Sequence, residues 1–163
     1  MLRNVMFASA ILVAALIPSY AKDLTVPAKD PVASISIPDS WDIDDIDFGY
    51  SAASPDEEMK LYVEYANASR VDKMLELNDQ WMKEQEITPK GKPVEEDGSI
   101  GGLPAKMLTY AATDPDGDTI VEFVLLPGGK GRLILLTLWG SKEARAENQA
   151  DIQAITASIK AIN

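Results

Sequence analysis

Carboxylates are the side chains of this sequence that offer the most chemistry. The 163-residue chain carries 26 Asp and Glu residues against 15 Lys and Arg residues, and it has no His and no Cys. The missing imidazoles and thiols exclude Ser-His-Asp and Cys-His nucleophiles, zinc sites with nitrogen or sulfur ligands, and haem or iron–sulfur ligation by these residues. Chemistry would therefore fall to carboxylates, Lys, Tyr, Ser or Thr, or to a bound hard cation.

Three aspartates at alternate positions, Asp114, Asp116 and Asp118, have the spacing that begins a calcium-binding loop. An EF-hand loop places glycine at the sixth position and a bidentate Glu at the twelfth. Here glycine occupies the fourth position and Leu125 the twelfth, and both flanks alternate like strands. A hairpin turn explains the Pro and Gly of this segment, so we favour a turn and assign no metal ligand.

A second acidic group comprises Asp42, Asp44, Asp45 and Asp47. Two of these residues are expected in a loop and two on the polar face of a strand, so they are not expected to meet at one point. Charge on an exposed strand prevents edge-to-edge pairing, which makes a solvated sheet edge the favoured interpretation. The glycine-rich segment 128–132 runs from strand to strand, unlike a phosphate-binding loop. The sequence therefore predicts neither catalytic residues nor a cofactor.

The first 21 residues have the pattern of a secretory signal peptide. Arg3 provides a short basic region, and residues 5–17 form an uncharged apolar run that is short for a membrane span. A small-x-small cleavage site ends at Ala21, so cleavage is expected there; an uncleaved anchor is the alternative. The mature protein would be periplasmic or secreted, without stable membrane insertion. Because the whole chain has a net charge of −11, nucleic acid and anionic lipid are not expected as partners.

After a flexible lead-in, residues 22–31, the pattern predicts one domain over residues 32–163. Alternation of apolar and polar residues indicates about six antiparallel strands, at 32–37, 45–50, 59–66, 106–112, 119–126 and 132–139. The last strand is apolar on both faces and should be central. Two main helices are expected, starting at Ser69 and Ser141, and the second carries isoleucines at helical spacing up to Ile162. Residues 88–98, rich in Pro and Gly, are expected to form a loop. This is an α+β pattern.

Three segments resemble the PsbP-like superfamily and its bacterial DcrB-like branch: VASISIPDSW at 32–41, IGGLPAKMLTY at 100–110 and RLILLTLWGSKEARAENQADIQAITASIK at 132–160. The resemblance implies an α-β-α sandwich with an antiparallel sheet. It also implies a non-enzymatic role as an assembly factor, an accessory subunit or a chaperone-like adaptor. The matching positions are structural, so the resemblance assigns no functional residue.

Two functions remain open from the sequence. The first is an exported binding, accessory or assembly protein that uses a surface of its sheet, with a protein partner, an apolar peptide segment or a second copy as occupant. If both helices cover one face, Phe48, Tyr50 and Tyr62 would form the contact on the other; if the helices split, no face is bare. The alternative is a small hydrolase that uses carboxylates or a divalent cation.

Overall fold

Eleven strands and three α-helices make up the computed structural model, which describes residues 20–67, 69 and 71–163. In chain order they are β1 (Ala21–Val26), β2 (Ala33–Pro38), β3 (Asp42–Ile46), β4 (Gly49–Ala53), β5 (Lys60–Asn67), α1 (Val71–Glu84), β6 (Thr88–Pro89), β7 (Val94–Ile100), β8 (Leu103–Asp114), β9 (Gly117–Pro127), β10 (Arg132–Gly140), α2 (Lys142–Glu147), α3 (Gln149–Ser158) and β11 (Lys160–Ala161). Within these residues, no helix is both long enough and apolar enough to cross a bilayer. The predicted signal peptide lies outside the described residues except for Tyr20 and Ala21.

The strands form two antiparallel sheets. The larger sheet has the order β3-β4-β5-β10-β9-β8-β6, with β7 also paired to β8, and the smaller sheet has the order β1-β2-β11. The α+β class is therefore confirmed, although the strands are more numerous than the six expected. Strand β10 lies between β5 and β9 and is buried along most of its length, as its continuous apolar sequence predicts.

The large sheet separates two hydrophobic cores, because alternate side chains of each strand point to opposite faces. Leu61 and Val63 of β5 belong to the first core, which the small sheet and α3 cover; Ile155 is the buried contribution of α3. The second core lies beneath α1, where Met74 packs in the same cluster as Phe123. The helices thus lie on both faces of the large sheet. A bare face was expected only if both helices covered the same side, and they do not.

Two segments expected to lack regular structure are strands. In the lead-in, Leu24 and Val26 are buried and β1 pairs with β2 over its whole length. Only two apolar positions mark this strand, which is too few to stand out beside the neighbouring Lys, Asp and Pro residues. In the expected loop, β6 and β7 pair with β8. Nearly all of β7 is exposed, so it lacks the apolar alternation by which strands are recognised.

The C-terminal helix is shorter than its isoleucine pattern predicts. Ser141 caps α2 by accepting a hydrogen bond from the Ala144 N–H at 3.0 Å, as its position indicated. The helix is then interrupted at Asn148, α3 ends at Ser158, and β11 pairs with β2. Ile159 is buried, although it lies beyond the last helical turn. The isoleucine spacing therefore continues past the end of α3, since Ile159 belongs to the first core together with Ile155.

Candidate functional site

The aspartates considered as metal ligands have structural roles. One carboxylate oxygen of Asp114 accepts hydrogen bonds from the backbone N–H groups of Asp116 and Gly117, at 3.0 and 3.1 Å. Its other oxygen accepts one from the Trp139 indole N–H at 2.9 Å. Asp118 pairs with Lys90 at 2.6 Å on the surface. These contacts are those of a hairpin turn anchored to a neighbouring strand.

The second acidic group lies along a sheet edge. Asp42, Asp44 and Asp45 belong to β3, the terminal strand of the large sheet, Asp47 follows in the turn, and all four are exposed. Among the described residues, three carboxylates come within 4.8 Å of one another only in a different cluster, Asp56, Glu58 and Glu147. That cluster is fully exposed. Hydrogen bonds from the Ser54 hydroxyl and then from the Glu58 backbone N–H lower the pKa of Asp56 below its ordinary value.

The three residues predicted for a partner surface do not share one face. The segment 45–50 is not a single strand: it turns back at residues 47 and 48, which pairs Ile46 with Gly49. Phe48 therefore lies in a turn and is 56% exposed. Tyr62 lies on the α1 face, with its ring centroid 5.3 Å from that of Trp81. Tyr50, opposite Val63 in the register, packs against the first core on the other face.

An open groove of about 430 Å³ lies between α1 and the strands β5 and β10. We call it the α1 groove. Its lining residues are Phe48, Tyr62, Glu64, Tyr65, Ala66, Asn67, Lys73, Met74, Leu77, Asn78, Gln80, Trp81, Glu84, Phe123, Arg132, Leu135 and Thr137. Trp81 makes edge-to-face contacts with Tyr62, Phe123 and Trp139 at centroid distances of 5.3, 6.1 and 5.7 Å. Leu77, which is 48% exposed, also lines it. The groove therefore has an aromatic wall and an open apolar side.

The groove exists because one helix is too narrow for the sheet. Seven strand positions at about 4.8 Å spacing give a sheet roughly 29 Å wide, whereas a helix with its side chains is about 10 Å across. Gly49 adds to the opening, since it lies opposite Glu64 and contributes no side chain above β4. A Cβ atom at this position would collide with the Val63 carbonyl oxygen. The close approach of β4 and β5 thus requires glycine here.

Two polar side chains of the lining, Glu64 and Asn78, lie in buried or half-buried positions. Burial raises the pKa of the Glu64 carboxyl above its ordinary value of 4.5. Within residues 20–67, 69 and 71–163, no Lys or Arg forms an ion pair with this carboxyl. Asn78 of α1 is 8% exposed, and its Nδ2 atom is buried without a hydrogen-bond acceptor in the described part of the chain. An unpaired buried donor such as the Asn78 amide costs about 1–3 kcal/mol of stability.

A smaller pocket of about 190 Å³ lies on the opposite side of α1. Asn78 and Phe123 line both cavities, so Asn78 sits where the two meet beneath the helix. Tyr110 also lines the smaller pocket, and burial, followed by the charges of Asp79 and Glu95, raises the pKa of its phenol above its ordinary value. This pocket is acidic and small, and the α1 groove is the larger and more apolar of the two.

The fold has relatives among solved structures. No protein-family model and no curated protein matches the chain. Cyanobacterial PsbP (CyanoP) from Synechocystis sp. PCC 6803 superposes with a TM-score of 0.58 at 11% identity, over 95% of this chain and 98% of that one. The chain has the fold of PsbP. LpqN, involved in cell envelope biogenesis of Mycobacterium tuberculosis, gives 0.55 at 13% identity over 88% and 92%. A Bacteroides thetaiotaomicron protein gives 0.55 at 13% over 81% and 46%.

These identities establish the fold and no activity. The PsbP-like part of the resemblance seen in the sequence is confirmed at the level of fold, and the DcrB-like branch stays a prediction. Of the three residues predicted for a partner surface, Phe48 and Tyr62 line the groove. Glu64 and Asn78 also line it but were not predicted from the sequence. Asn78 left a signal in the sequence, because it follows Met74 and precedes Trp81 at helical spacing and is a polar residue within an apolar stripe.

Proposed function

We propose that this protein is an exported, non-enzymatic accessory protein that binds an apolar segment of a partner protein in the α1 groove. The observation that carries the proposal is the groove itself, an open volume of about 430 Å³ with an aromatic wall. Its size falls in the range of sites that enclose a small molecule or a few side chains. Phe48 and Leu77, which are 56% and 48% exposed, would each gain about half of the contribution of a fully buried side chain, roughly 0.7–1.7 kcal/mol, if such a segment covered them.

A binding role also agrees with the chemistry of the chain. The sequence has no His and no Cys, and the clustered carboxylates within the described residues are fully exposed. Catalysis by paired carboxylates needs a shielded cleft in which their pKa values diverge. The α1 groove contains one carboxyl with a raised pKa, that of Glu64, surrounded by apolar and aromatic groups. A groove of this composition favours binding over hydrolysis.

We place the protein in the bacterial periplasm or outside the cell and in the DcrB-like branch of the PsbP-like superfamily. The support is the signal-peptide pattern of residues 1–21 and the three resembling segments. The fold shared with LpqN, a protein involved in cell envelope biogenesis, agrees with work in that compartment. Assembly or sheltering of an envelope protein is the role that this combination favours.

Peptide binding tests the proposal. Purified protein is dialysed against a pool of blocked heptapeptides built from leucine, isoleucine, valine and phenylalanine, and against a matched pool built from serine, threonine and glycine. We expect retention of the apolar pool alone, and at least a tenfold loss in Leu77→Asp. Val94→Asp is the matched control, because Val94 is 61% exposed on β7 and outside the groove.

Two results would contradict the proposal. One is that neither pool is retained, or that Leu77→Asp binds as well as Val94→Asp. The other is a dimer in sedimentation that Leu77→Asp converts to a monomer, which would assign the groove to a second copy of the chain.

A further inference from the structure

Glu64 is an acidic side chain of the α1 groove that neither of the two cations in the lining neutralises. Lys73 pairs with Glu76 at 3.1 Å, and the Arg132 guanidinium lies 5.7 Å from the centre of the Tyr65 ring. Glu64, in contrast, has no cation within ion-pair distance among the described residues. A ligand that brings a positive charge would therefore complement the groove.

The position of Glu64 makes this complementarity local. Glu64 lies between Tyr62 and Ala66 on the α1 face of β5, with Leu135 opposite it on β10 and the bare backbone of Gly49 opposite it on β4. Its carboxyl is half-buried in surroundings that offer aromatic and aliphatic groups instead of water. Charge pairing is stronger in such surroundings than on an exposed surface, since solvent screens it less. The aromatic faces nearby also favour a cation.

Asn78 supplies the second requirement of the ligand. Asn78 lines the groove and is 8% exposed, and its buried Nδ2 group has no acceptor within the described part of the chain. A hydrocarbon surface has no atom that can accept its hydrogen bond, whereas every residue of a peptide offers a carbonyl oxygen. The unpaired donor thus favours a polypeptide over a purely apolar occupant.

Building on the proposed function, we infer that the segment held in the α1 groove is an apolar peptide that carries a lysine or arginine. The cationic group forms an ion pair with Glu64, and a backbone carbonyl of the segment accepts a hydrogen bond from Asn78 Nδ2. Tyr62 and Trp81 pack against the aliphatic part of the basic side chain. The groove therefore selects a segment by charge in addition to hydrophobicity.

Three peptide pools that differ at one position test the inference. Each pool has the apolar flanks used above and a central lysine, norleucine or glutamate, so that lysine and norleucine differ in charge at similar length. We expect the lysine pool to bind at least tenfold more tightly than the norleucine pool, and the glutamate pool to bind most weakly. Glu64→Gln should abolish the preference for lysine and preserve binding of the norleucine pool.

Glu84→Gln is the matched control, because Glu84 lines the same groove but is exposed, where a charge contributes little. It should keep the preference for lysine. Asn78→Leu should weaken all three pools by a similar factor, because each presents the same carbonyl groups. Circular dichroism of every variant verifies that the fold is intact.

The outcomes separate the two proposals. Equal binding of the lysine and norleucine pools, lost in Leu77→Asp, would overturn the inference and leave the proposed function standing. The inference would also be overturned if the lysine preference survives in Glu64→Gln, or if Glu84→Gln removes it to the same extent. Either result would show that the overall negative charge of the protein attracts the peptide. Failure of every pool to bind would reject both proposals.

Discussion

Replacing Asn78 with leucine should stabilise the folded protein while weakening its binding of peptides. Asn78 borders both cavities beneath α1, and its buried Nδ2 atom is unpaired within the described residues. Evolution for stability alone favours an apolar residue at such a position, because a buried donor without an acceptor lowers the stability of the folded state. The proposed binding role would explain why a polar residue stands there, since sites kept for function often reduce stability.

The expected gain follows from two contributions. Removing an unpaired buried donor yields about 1–3 kcal/mol, and leucine is a better helix former than asparagine by roughly 0.5 kcal/mol. Cavities of about 430 and 190 Å³ border the side chain, so the extra volume of leucine can be accommodated with little strain. The free energy of unfolding should therefore rise by about 1.5–3.5 kcal/mol. With a urea m-value near 2 kcal/mol/M, the midpoint should rise by about 1 M.

Urea denaturation followed by tryptophan fluorescence measures this change. Trp81 packs against Tyr62 in the groove, so its emission reports the loss of packing around α1. Asp79→Leu is the control, because Asp79 is an exposed neighbour on the same helix and has a helix propensity similar to that of asparagine. That variant should gain only about 0.5 kcal/mol. The difference between the two variants isolates the contribution of the unpaired amide.

A lower urea midpoint for Asn78→Leu, alongside an unchanged or higher one for Asp79→Leu, would refute the reasoning. It would mean that the Asn78 amide has a partner in the folded protein in solution and is not available to a ligand. Greater stability combined with undiminished peptide binding would retain the structural account but remove Asn78 from the binding site.

Three further predictions concern charged groups. Burial raises the Glu64 pKa above 4.5, so ionisation of this carboxyl opposes folding. The Glu64→Gln variant should therefore gain stability relative to the wild type as the pH rises through 4.5 and past the raised pKa. A difference in urea midpoint that stays constant between pH 4 and 8 would contradict this prediction. Glu122→Gln should lower the free energy of unfolding by about 2–4 kcal/mol, because the Arg145 guanidinium, 18% exposed, loses its anionic partner at 3.0 Å. Glu76→Gln is the control in an exposed pair and should change the free energy of unfolding by less than about 0.5 kcal/mol. Asp114→Ala should cost about 1–3 kcal/mol through lost turn hydrogen bonds, and millimolar Ca²⁺ should not shift the melting temperature of the wild type; a Ca²⁺-dependent rise that Asp114→Ala abolishes would restore the metal interpretation.

The fold class could be predicted because it depends on local patterns. Alternation along 59–66, 119–126 and 132–139 identifies strands from neighbouring residues alone, and the continuous apolar run of β10 marks it as central. Edge strands escape this reasoning. The side chains of β7 are almost all exposed, so nothing in its sequence distinguishes it from a loop until β8 lies beside it.

The candidate site depended on the tertiary structure. Phe48 and Tyr50 are two residues apart and would share a face of one continuous strand, yet Phe48 lies in the turn between β3 and β4, and Tyr50 packs against the first core. Glu64 has the pattern of an ordinary polar residue on a half-exposed strand, and its carboxyl becomes buried only when β5 lies beside β10, where Leu135 is opposite Glu64.

The sequence by itself determined the alternation that builds the sheet, the acidity of the surface and the absence of imidazole and thiol chemistry. Which face each helix covers, and therefore where the sheet stays open, was decided only when distant segments packed together. The physical reason is that burial and unpaired hydrogen-bonding groups are properties of the assembled layers, whereas periodicity is a property of the chain.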